Sequence, residues 1–470
     1  MKRKVIFLFV LILILSLLVL SPISAQGTWT TGIDVQNTAN SAGTVSIIFY
    51  DSAGNNAGSV SDSITAYGSL SVYVPSIPNN ELAPGDYAAV VSADVPVAAT
   101  TSLQNYDLGG ADMYLGTAAP ENILTFPLVY RNHTSGKWNS QLIVQNTSDV
   151  NPLSVTLKLY TTGSSTPNET DTVSIPAKAS YNFNISDAKY DQFGPFGSAT
   201  VEASAPLAGV AMSIRNPGTG AKNVIETSYR AFGSAQQGKE IVLPLVYKNY
   251  NTWTSGINIV NTGSVSTTVT VEYTNANPNL PNIGSNPGPW QDEIEIPANA
   301  MGSFYTPSNA TGLPDGFYGS ASIVSDDQDI LVVVASQRYP TSGAQGVAYE
   351  GSLDDASITA CVSAPVVHNR TSWKTGINIL NMGAQTATVK IDYISSAAGI
   401  SNATQTISIG AGQPASIYMP SDATTALGFY GAADLKSTNG QPLLVNIANT
   451  RADRGVSSNY VGINYTCPSP

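Results

Sequence analysis

The stretch Trp253-Thr254-Ser255-Gly256-Ile257-Asn258-Ile259-Val260-Asn261 decides the fold, because its pattern is written four times along the chain. Read as Trp-x-[Ser/Thr]-x-apolar-x-apolar-x-Asn, it recurs over residues 29–37, 138–146 and 373–381. Ile257 and Ile259 share one parity with Trp253, and this period of two is expected of a β-strand with one face turned inward. The pattern therefore predicts one strand anchored by a tryptophan in each copy.

The distance between copies predicts the domain organisation. The tryptophans lie 109, 115 and 120 residues apart at Trp29, Trp138, Trp253 and Trp373. A period of this length is typical of one whole small domain. We therefore expect a signal peptide over residues 1–25 and four repeats over 26–120, 121–238, 239–355 and 356–470.

The rest of each repeat reads as further strands. Repeat 3 contains seven or eight short alternating or apolar segments separated by Gly, Pro and Asn turns, and no segment with helical periodicity. This spacing predicts an all-β chain of four tandem antiparallel β-sandwiches, of Ig-like or jelly-roll type. The short linkers predict a rod in which each domain touches its neighbours.

One repeat departs from this plan at its start. An apolar segment precedes the tryptophan strand in repeats 2, 3 and 4, at residues 126–130, 243–247 and 364–368, but no counterpart follows residue 25 ahead of Trp29. Repeat 1 is therefore predicted to lack its first strand. Either this strand is peripheral, or a loop takes its place, or the exposed edge accepts a segment of another chain.

Composition excludes one class of partner. Charged residues make up 11% of the chain, the net charge is −12 and the pI is about 4.5. Phosphate binding needs a basic patch, and 20 Lys and Arg spread over four repeats do not supply one, so we expect no nucleic-acid partner.

The N-terminus reads as an export signal. Lys2-Arg3-Lys4 is followed by an apolar run over residues 5–20 and by small residues that end at Ala25. We expect cleavage after Ala25 and a secreted or cell-surface protein. An uncleaved N-terminal anchor is the alternative, because bulky Ile23 is the third residue before the cut.

The two cysteines bracket repeat 4. Cys361 and Cys467 are predicted to form a disulfide that joins its first and last strands, which suits an oxidising compartment. The alternative is two free thiols. Their spacing does not suggest a metal or redox site, and the sequence suggests no cofactor.

Candidate catalytic residues are few. His133 and His368 have no nucleophile that recurs with them, and no carboxylate pair recurs at matched positions, so we expect no enzymatic activity. Asp326 to Asp329 and the pair Asp354 and Asp355 are either calcium ligands or solvated turn residues. Asn-x-Ser/Thr sequons are candidate glycan acceptors and occur at Asn132, Asn146, Asn168, Asn184, Asn309, Asn369, Asn402 and Asn464.

Aromatic residues suggest a second class of function. The four repeat tryptophans are interpreted as structural anchors because they recur at one position, although aromatic faces also suit sugar rings. Trp290 has no counterpart and ends a long loop, so it is predicted to be the exposed tryptophan of a carbohydrate site.

Several of these features together resemble a known family. The tryptophan strand, the Ile-Pro-Ala turn at 296–298 and the Gly-Phe-Tyr-Gly sequence at 316–319 look like the tandem Ig-like β-sandwich repeats of bacterial cell-surface and secreted proteins. The resemblance implies extracellular display, adhesion or envelope structure, and it carries no catalytic or ligand-binding residues.

The sequence thus predicts a non-enzymatic exported surface protein with a structural or adhesive role. Surface glycans, other envelope proteins or further copies of the chain would be its partners. Two alternatives stay open: an array of carbohydrate-binding modules, and a self-assembling envelope or filament subunit that completes the sheet of repeat 1 by strand addition.

Overall fold

A computed structural model describes residues 29–467, apart from 78–81, 106, 135–137, 216–223, 278, 281–288, 310–312, 339–343 and 452. The predicted signal peptide lies outside these residues. Strands form five antiparallel sheets, which confirms the prediction of an all-β, multi-domain β-sandwich protein. Among the described residues the helical pieces are single turns, at Val74–Ser76, Ala188–Tyr190, Ser234–Gln236, Thr306–Asn309 and Met419–Asp422.

Repeat 1 forms two sheets, of four strands in the order β4-β1-β6-β7 and of three strands in the order β3-β2-β5. We call the sheet that follows the tryptophan the tryptophan sheet and its partner the opposite sheet. The strands are β1 (Thr30–Asn37), β2 (Gly43–Tyr50), β3 (Asn56–Ile64), β4 (Ser69–Tyr73), β5 (Ala88–Ala93), β6 (Val97–Asn105) and β7 (Gly110–Leu115).

Repeat 2 joins the two layers through one long strand. Its strands are β8 (Glu121–Tyr130), β9 (Trp138–Asn146), β10 (Leu153–Thr161), β11 (Glu169–Ile175), β12 (Ser180–Asn184), β13 (Phe196–Arg215) and β14 (Ile225–Arg230). The first half of β13 pairs with β10 and β8 in the opposite sheet, and its second half pairs with β9 and β14 in the tryptophan sheet.

Repeats 3 and 4 have nine strands each, in matching orders. Those of repeat 3 are β15 (Glu240–Tyr250), β16 (Trp253–Asn261), β17 (Thr267–Asn275), β18 (Trp290–Ile296), β19 (Met301–Tyr305), β20 (Phe317–Ser325), β21 (Ile330–Arg338), β22 (Gln345–Glu350) and β23 (Ser352–Leu353). Those of repeat 4 are β24 (Cys361–Asn369), β25 (Trp373–Asn381), β26 (Ala387–Ser395), β27 (Ala403–Ile409), β28 (Pro414–Tyr418), β29 (Phe429–Ser437), β30 (Leu443–Arg451), β31 (Val456–Val461) and β32 (Ile463–Tyr465).

The alternation read from the sequence places the core between the two sheets. On β16, Ile257 and Ile259 are fully buried against Val269 and Val271 of β17. The inward rows of the other repeats follow the same period of two, as expected for strands with one face on a core.

The four repeats close into a ring through the last strand of each tryptophan sheet, which we call the last strand; the short strands β23 and β32 pair with β15 and β24 instead. Each last strand is the edge of its tryptophan sheet, and β7 contacts β14, β14 contacts β22, β22 contacts β31, and β31 contacts β7. The first strands add a second set of contacts. Strand β8 packs on β16 and β21, β15 packs on β25 and β30, and β24 packs on β1 and β6.

The predicted rod is therefore wrong, because repeat 4 returns to repeat 1. Tyr430 donates a hydrogen bond to Asp34 over 2.7 Å, and Ser363 donates to Gln36 over 2.5 Å. The physical reason lies in the sheet edges. Four unpaired edges carry backbone groups that need partners, and a closed ring buries all four together.

Candidate functional site

The asparagine that ends each tryptophan strand ties the strand to a turn. Asn261 is fully buried, and its side-chain amide donates to the carbonyl oxygens of Val265, Ile296 and Pro297 at 2.8, 3.0 and 3.1 Å. Its side-chain oxygen accepts the N–H of Gly263 at 2.8 Å. Asn146 and Asn381 make all four corresponding bonds and Asn37 makes three of them, so this recurring residue is structural.

The Ser or Thr two residues after the tryptophan holds the first strand of the repeat. The hydroxyls of Ser140, Ser255 and Thr375 accept the backbone N–H groups of Tyr130, Tyr247 and His368 at 2.8, 3.0 and 2.7 Å, respectively. Each of these hydroxyls is buried and also bonds a polar side chain on the neighbouring strand.

A tyrosine in the last strand clamps the same first strand at its proline. The ladder skips two residues at Pro127, Pro244 and Pro365, since proline has no N–H to donate. The N–H and carbonyl of the residue after each proline are instead bonded by a tyrosine hydroxyl. The clamps are Tyr229 on Leu128, Tyr349 on Leu245 and Tyr460 on Val366.

The sequence analysis did not identify this tyrosine, although its recurrence at one position of the last strand is visible in the sequence. Aligning the four last strands places Tyr114, Tyr229, Tyr349 and Tyr460 at the fifth position of each. Repeat 1 thus keeps the tyrosine, while its described residues contain no counterpart of β8, β15 or β24.

We define the ring junction as the place where the last strands β7, β14, β22 and β31 meet. The repeat tryptophans lie at the border between a repeat and this junction. Trp138, Trp253 and Trp373 are 7–8% exposed, and Trp29 is half-buried. Trp138 packs against Ala344 of repeat 3 and Trp373 against Ala111 of repeat 1. In the described residues the tryptophans therefore serve packing, both within and between repeats.

The ring junction is polar as well as buried. The Asp112 carboxylate on β7 accepts the backbone N–H of Ser228 on one neighbouring edge and that of Asn459, at 3.3 Å, on the other. On the far side of the ring, Glu350 accepts the N–H of Arg230 at 2.6 Å. Side chains of one repeat thus satisfy edge groups of the next.

One carboxyl at the junction is left without a partner. Glu226 is 1% exposed, and neither of its side-chain oxygens has a hydrogen-bond partner in the described structure. Burial raises its pKa to about 8. Burial also raises the pKa of Asp112 well above its usual value, and the nearby Glu226 adds to this rise.

The two histidines serve as packing surfaces for aromatic rings. His368 stacks between Trp373 and Tyr430, with ring centroids 5.6 and 5.2 Å away, and burial, followed by the charge of Arg370, lowers its pKa to about 3. His133 lies against Tyr130 and Phe196, and burial lowers its pKa. Both rings are therefore neutral at physiological pH.

The prediction that Trp290 is exposed is wrong. Trp290 begins β18, pairs with Tyr273 and is 4% exposed, with its ring packed edge-on against Phe317 at 5.9 Å. The sequence places Trp290 at the end of a long loop, and for that reason its side chain was expected to be exposed. Pairing with Tyr273 on the neighbouring strand instead directs the indole ring into the core of repeat 3.

The acidic clusters lie in turns. Asp326 to Asp329 connect β20 to β21, and Asp355 accepts the N–H of Ser357 within a turn. Burial, together with the charges of Glu240 and Asp355, raises the pKa of Asp354. Within the described ranges, no group of three or more His, Cys, Asp or Glu side chains is arranged to hold a metal ion.

Two of the sequons are buried in the fold. Asn146 is fully buried and Asn369 is 6% exposed, and both side-chain amides donate to backbone carbonyls. Glycan attachment at either residue would require unfolding. Asn168 and Asn402 are exposed, and the side chain of Asn309 lies outside the description.

The structure joins Cys361 and Cys467 in a disulfide, with their Cα atoms 5.3 Å apart. The bond connects the start of β24 to the residues after β32 and so closes repeat 4 on itself. In the part of the chain that the structure describes, no helix is long and apolar enough to cross a membrane.

An open cleft lies at one end of repeat 4, beside the start of the tryptophan strand. It is lined by Asn369, Arg370, Thr371, Lys374, Pro420, Ala423, Thr425 and Leu427. The lining includes two cations and an exposed leucine, but no carboxylate or histidine that could act as a general acid or base.

Comparison with known proteins identifies no family. No family model and no curated protein matches the sequence. A Thermotoga maritima 1070 structure is 14% identical with a TM-score of 0.20, over 25% of this chain and 94% of its own. The Anabaena sensory rhodopsin transducer is 13% identical with a TM-score of 0.16, over 20% and 83%.

A third solved structure spans nearly the whole chain. It is a tetra-tandem repeat from the extending region of a large adhesion protein, 14% identical with a TM-score of 0.10, over 94% of this chain and 97% of its own. At such TM-scores the function has to be argued from the residues themselves.

Proposed function

We propose that this chain is a non-enzymatic, exported surface protein with a structural or adhesive role. The observation that carries the proposal is the use of the recurring side chains. Each recurring side chain has a structural contact: the tryptophan packs, the Ser or Thr and the tyrosine bind the first strand, and the asparagine binds a turn. The repeated pattern thus builds a scaffold, and the outer surface is left to vary.

Three further features support this role. The disulfide suits an oxidising compartment. Only 11% of the residues are charged, so the exposed surface is largely neutral and polar, which suits contacts with glycans or other envelope proteins. The cleft of repeat 4 is also lined without an acid–base pair.

Two measurements test the proposal: the location of the protein on its source cells, and the turnover of substrates by the purified chain. Protease treatment of intact source cells should remove the chain, while a cytoplasmic marker stays intact. The purified chain should leave glycan and peptide substrates unchanged. A chain protected from the protease until the cells are lysed, or one with ordinary hydrolytic turnover, would contradict the proposal.

A second candidate function is self-assembly through repeat 1. The open edge of β5, which pairs only with β2 in the described structure, favours it. Light scattering at high concentration should then show oligomers of the chain that begins at Gln26, and a strict monomer would count against it. The carbohydrate alternative loses its main residue, since Trp290 is in the core.

A further inference from the structure

One recurring residue of the repeats is exposed. The edge strands β4, β19 and β28 of the tryptophan sheets each end in a tyrosine, at Tyr73, Tyr305 and Tyr418. These side chains are 50%, 42% and 47% exposed, whereas the other recurring side chains are buried or half-buried. Among the described residues, none of the three hydroxyls has a hydrogen-bond partner. Packing into the core therefore does not explain why these tyrosines recur.

The backbone holds each exposed tyrosine in place. All three begin the sequence Tyr-x-Pro-Ser, over residues 73–76, 305–308 and 418–421, and a single helical turn starts directly after the tyrosine. The serine hydroxyls donate to the tyrosine carbonyls at 3.0, 3.3 and 3.0 Å, from Ser76, Ser308 and Ser421. Each ring is thus presented from a fixed position, so a ligand needs to order little of the chain when it binds.

A glycine lies directly opposite each of these tyrosines. The pairs are Gly32 with Tyr73, Gly256 with Tyr305 and Gly376 with Tyr418. On their other side the same glycines pair with small residues, which are Ser102, Ala335 and Ala448, respectively. Since paired residues face the same side of a sheet, the missing and small side chains leave open space beside each tyrosine ring.

The described structure does not require a glycine at residue 256 or 376. A glycine weakens a strand, and in a strand interior it often marks a bulge or the close approach of another backbone or of a ligand. The pairing runs through Gly256 and Gly376 without a bulge. A Cβ atom would lie 3.7 Å from the nearest atom at Gly256 and 3.9 Å at Gly376, which is ordinary contact, whereas at Gly32 it would meet the Ser102 hydroxyl at 2.6 Å. At Gly256 and Gly376 the approach of a ligand is the explanation that remains.

Repeat 2 changes the three positions together. It has Asn184 in place of the tyrosine, Gln141 in place of the glycine and Met212 in place of the small residue. The Asn182 side-chain amide also donates to Gln141 at 3.1 Å. Where the tyrosine is absent, the space beside it is filled as well. The ring and the open space therefore belong to one site, which repeats 1, 3 and 4 keep.

The surroundings of the ring suit a sugar. On the same face, two residues before each glycine, hydroxyl, amide or amino groups lie in cross-strand pairs, which are Thr30 with Gln104, Thr254 with Gln337 and Lys374 with Thr450. An aromatic face packs against the C–H groups of a pyranose ring, while polar neighbours bond its hydroxyls. The sites of repeats 1 and 3 contain no charged side chain, which favours a neutral saccharide. A protein partner would need about 800 Å² of continuous surface, whereas each site is one ring beside a glycine.

The ring of repeats places the three sites on one circle. The first and last strands make the same contacts from repeat to repeat, so equivalent residues lie at the same height. We propose that Tyr73, Tyr305 and Tyr418 are the stacking residues of three sites for neutral polysaccharide on one rim of the ring. This inference rests on the adhesive role proposed above and names the class of its ligand. Three weak sites on one polymer bind it far more tightly than one site does.

Surface plasmon resonance of the purified chain over immobilised glucan, mannan, xylan and galactan tests the sites, with alginate as an acidic comparison. At least one neutral surface should bind the wild-type chain. Tyr305→Ala with Tyr418→Ala leaves one site and should raise the apparent Kd at least about 100-fold. Adding Tyr73→Ala should abolish binding, whereas Val265→Ala, which is 53% exposed and outside the sites, should leave binding unchanged.

Filling the open space separates a ligand site from a structural pair. Gly256→Val with Gly376→Val keeps the tyrosines and should raise the apparent Kd to the same extent, while the melting temperature stays at the wild-type value or above it. Binding that is unchanged by the paired tyrosine or the paired glycine substitutions overturns the inference. So does binding to alginate alone, or to none of the surfaces.

Two further outcomes are kept apart from these. If the wild-type chain self-associates and the triple tyrosine variant does not, a second copy is the partner and the inference is wrong. If the chain is exported and leaves substrates unchanged but binds none of the polysaccharides, the proposed surface role stands and only this inference is lost.

Discussion

Replacing Glu226 by Gln should stabilise the protein at neutral pH and flatten its dependence on pH. The carboxyl is 1% exposed, and its pKa is raised from 4.5 to about 8, so it is protonated in the folded chain at neutral pH and ionised in the unfolded chain. For an acid with a raised folded pKa, stability is greatest below the unfolded pKa and is lost as pH rises towards the folded pKa.

The size of the effect follows from the two pKa values. Each pH unit between 4.5 and about 8 costs roughly 1.4 kcal/mol, so raising the pH from about 5 to about 7 costs about 3 kcal/mol. Asp112 shifts in the same direction and adds to the slope of the wild-type protein. Glutamine is neutral at every pH, so the variant loses the contribution of Glu226 to the pH dependence of stability but keeps the contribution of Asp112.

Urea unfolding at the two pH values measures this difference. The free energy of unfolding of Glu226→Gln relative to wild type should rise by about 3 kcal/mol between about pH 5 and about pH 7. Glu202→Gln is the matched control, because that carboxylate bonds Lys158 at the surface and is 39% exposed. If wild type and Glu226→Gln lose stability in parallel, the reasoning about the junction is refuted.

Three further substitutions test the recurring bonds. Tyr460→Phe leaves the N–H and carbonyl of Val366 unpaired and should cost about 1–3 kcal/mol in urea, whereas Tyr418→Phe, 47% exposed, should cost little. Asn261→Ala removes the amide bonds to the carbonyls of Val265, Ile296 and Pro297 and the acceptor of the Gly263 N–H, so it should cost roughly 2 kcal/mol or more in the same assay, against almost nothing for exposed Asn182→Ala. Cys467→Ser opens a loop of 106 residues and should cost about 4–5 kcal/mol. Reductant should then lower the melting temperature of wild type but not that of the serine variant; a wild type indifferent to reductant would contradict the disulfide.

Local patterning made much of each sandwich predictable. The tryptophan pattern predicts a strand over residues 253–261, and β16 has these bounds, because apolar residues alternate along it and a turn follows at Thr262 and Gly263. The absence of an apolar segment after residue 25 also predicts that repeat 1 lacks its first strand. The residues just ahead of Trp29 lie outside the described part of the chain, so this stays a prediction.

The arrangement of the repeats was not predictable in the same way. The ring depends on bonds such as that from Asn459 to Asp112, between residues 347 positions apart, and no local pattern encodes such a pair. The prediction for Trp290 was wrong for a related reason, since its burial follows from its pairing with Tyr273, at the other end of the long loop. The clamp tyrosines could have been found, because they align in all four last strands.

Closure of the ring also sets the number of copies. In an open array of repeats, duplication of one unit simply lengthens the protein, because the end units have free faces. Here β31 of the last repeat already contacts β7 of the first, so a fifth repeat would have to break that contact before it could be accommodated. Gain or loss of a single repeat is therefore far harder to tolerate here, and divergence among the four existing copies is the easier route to new surfaces.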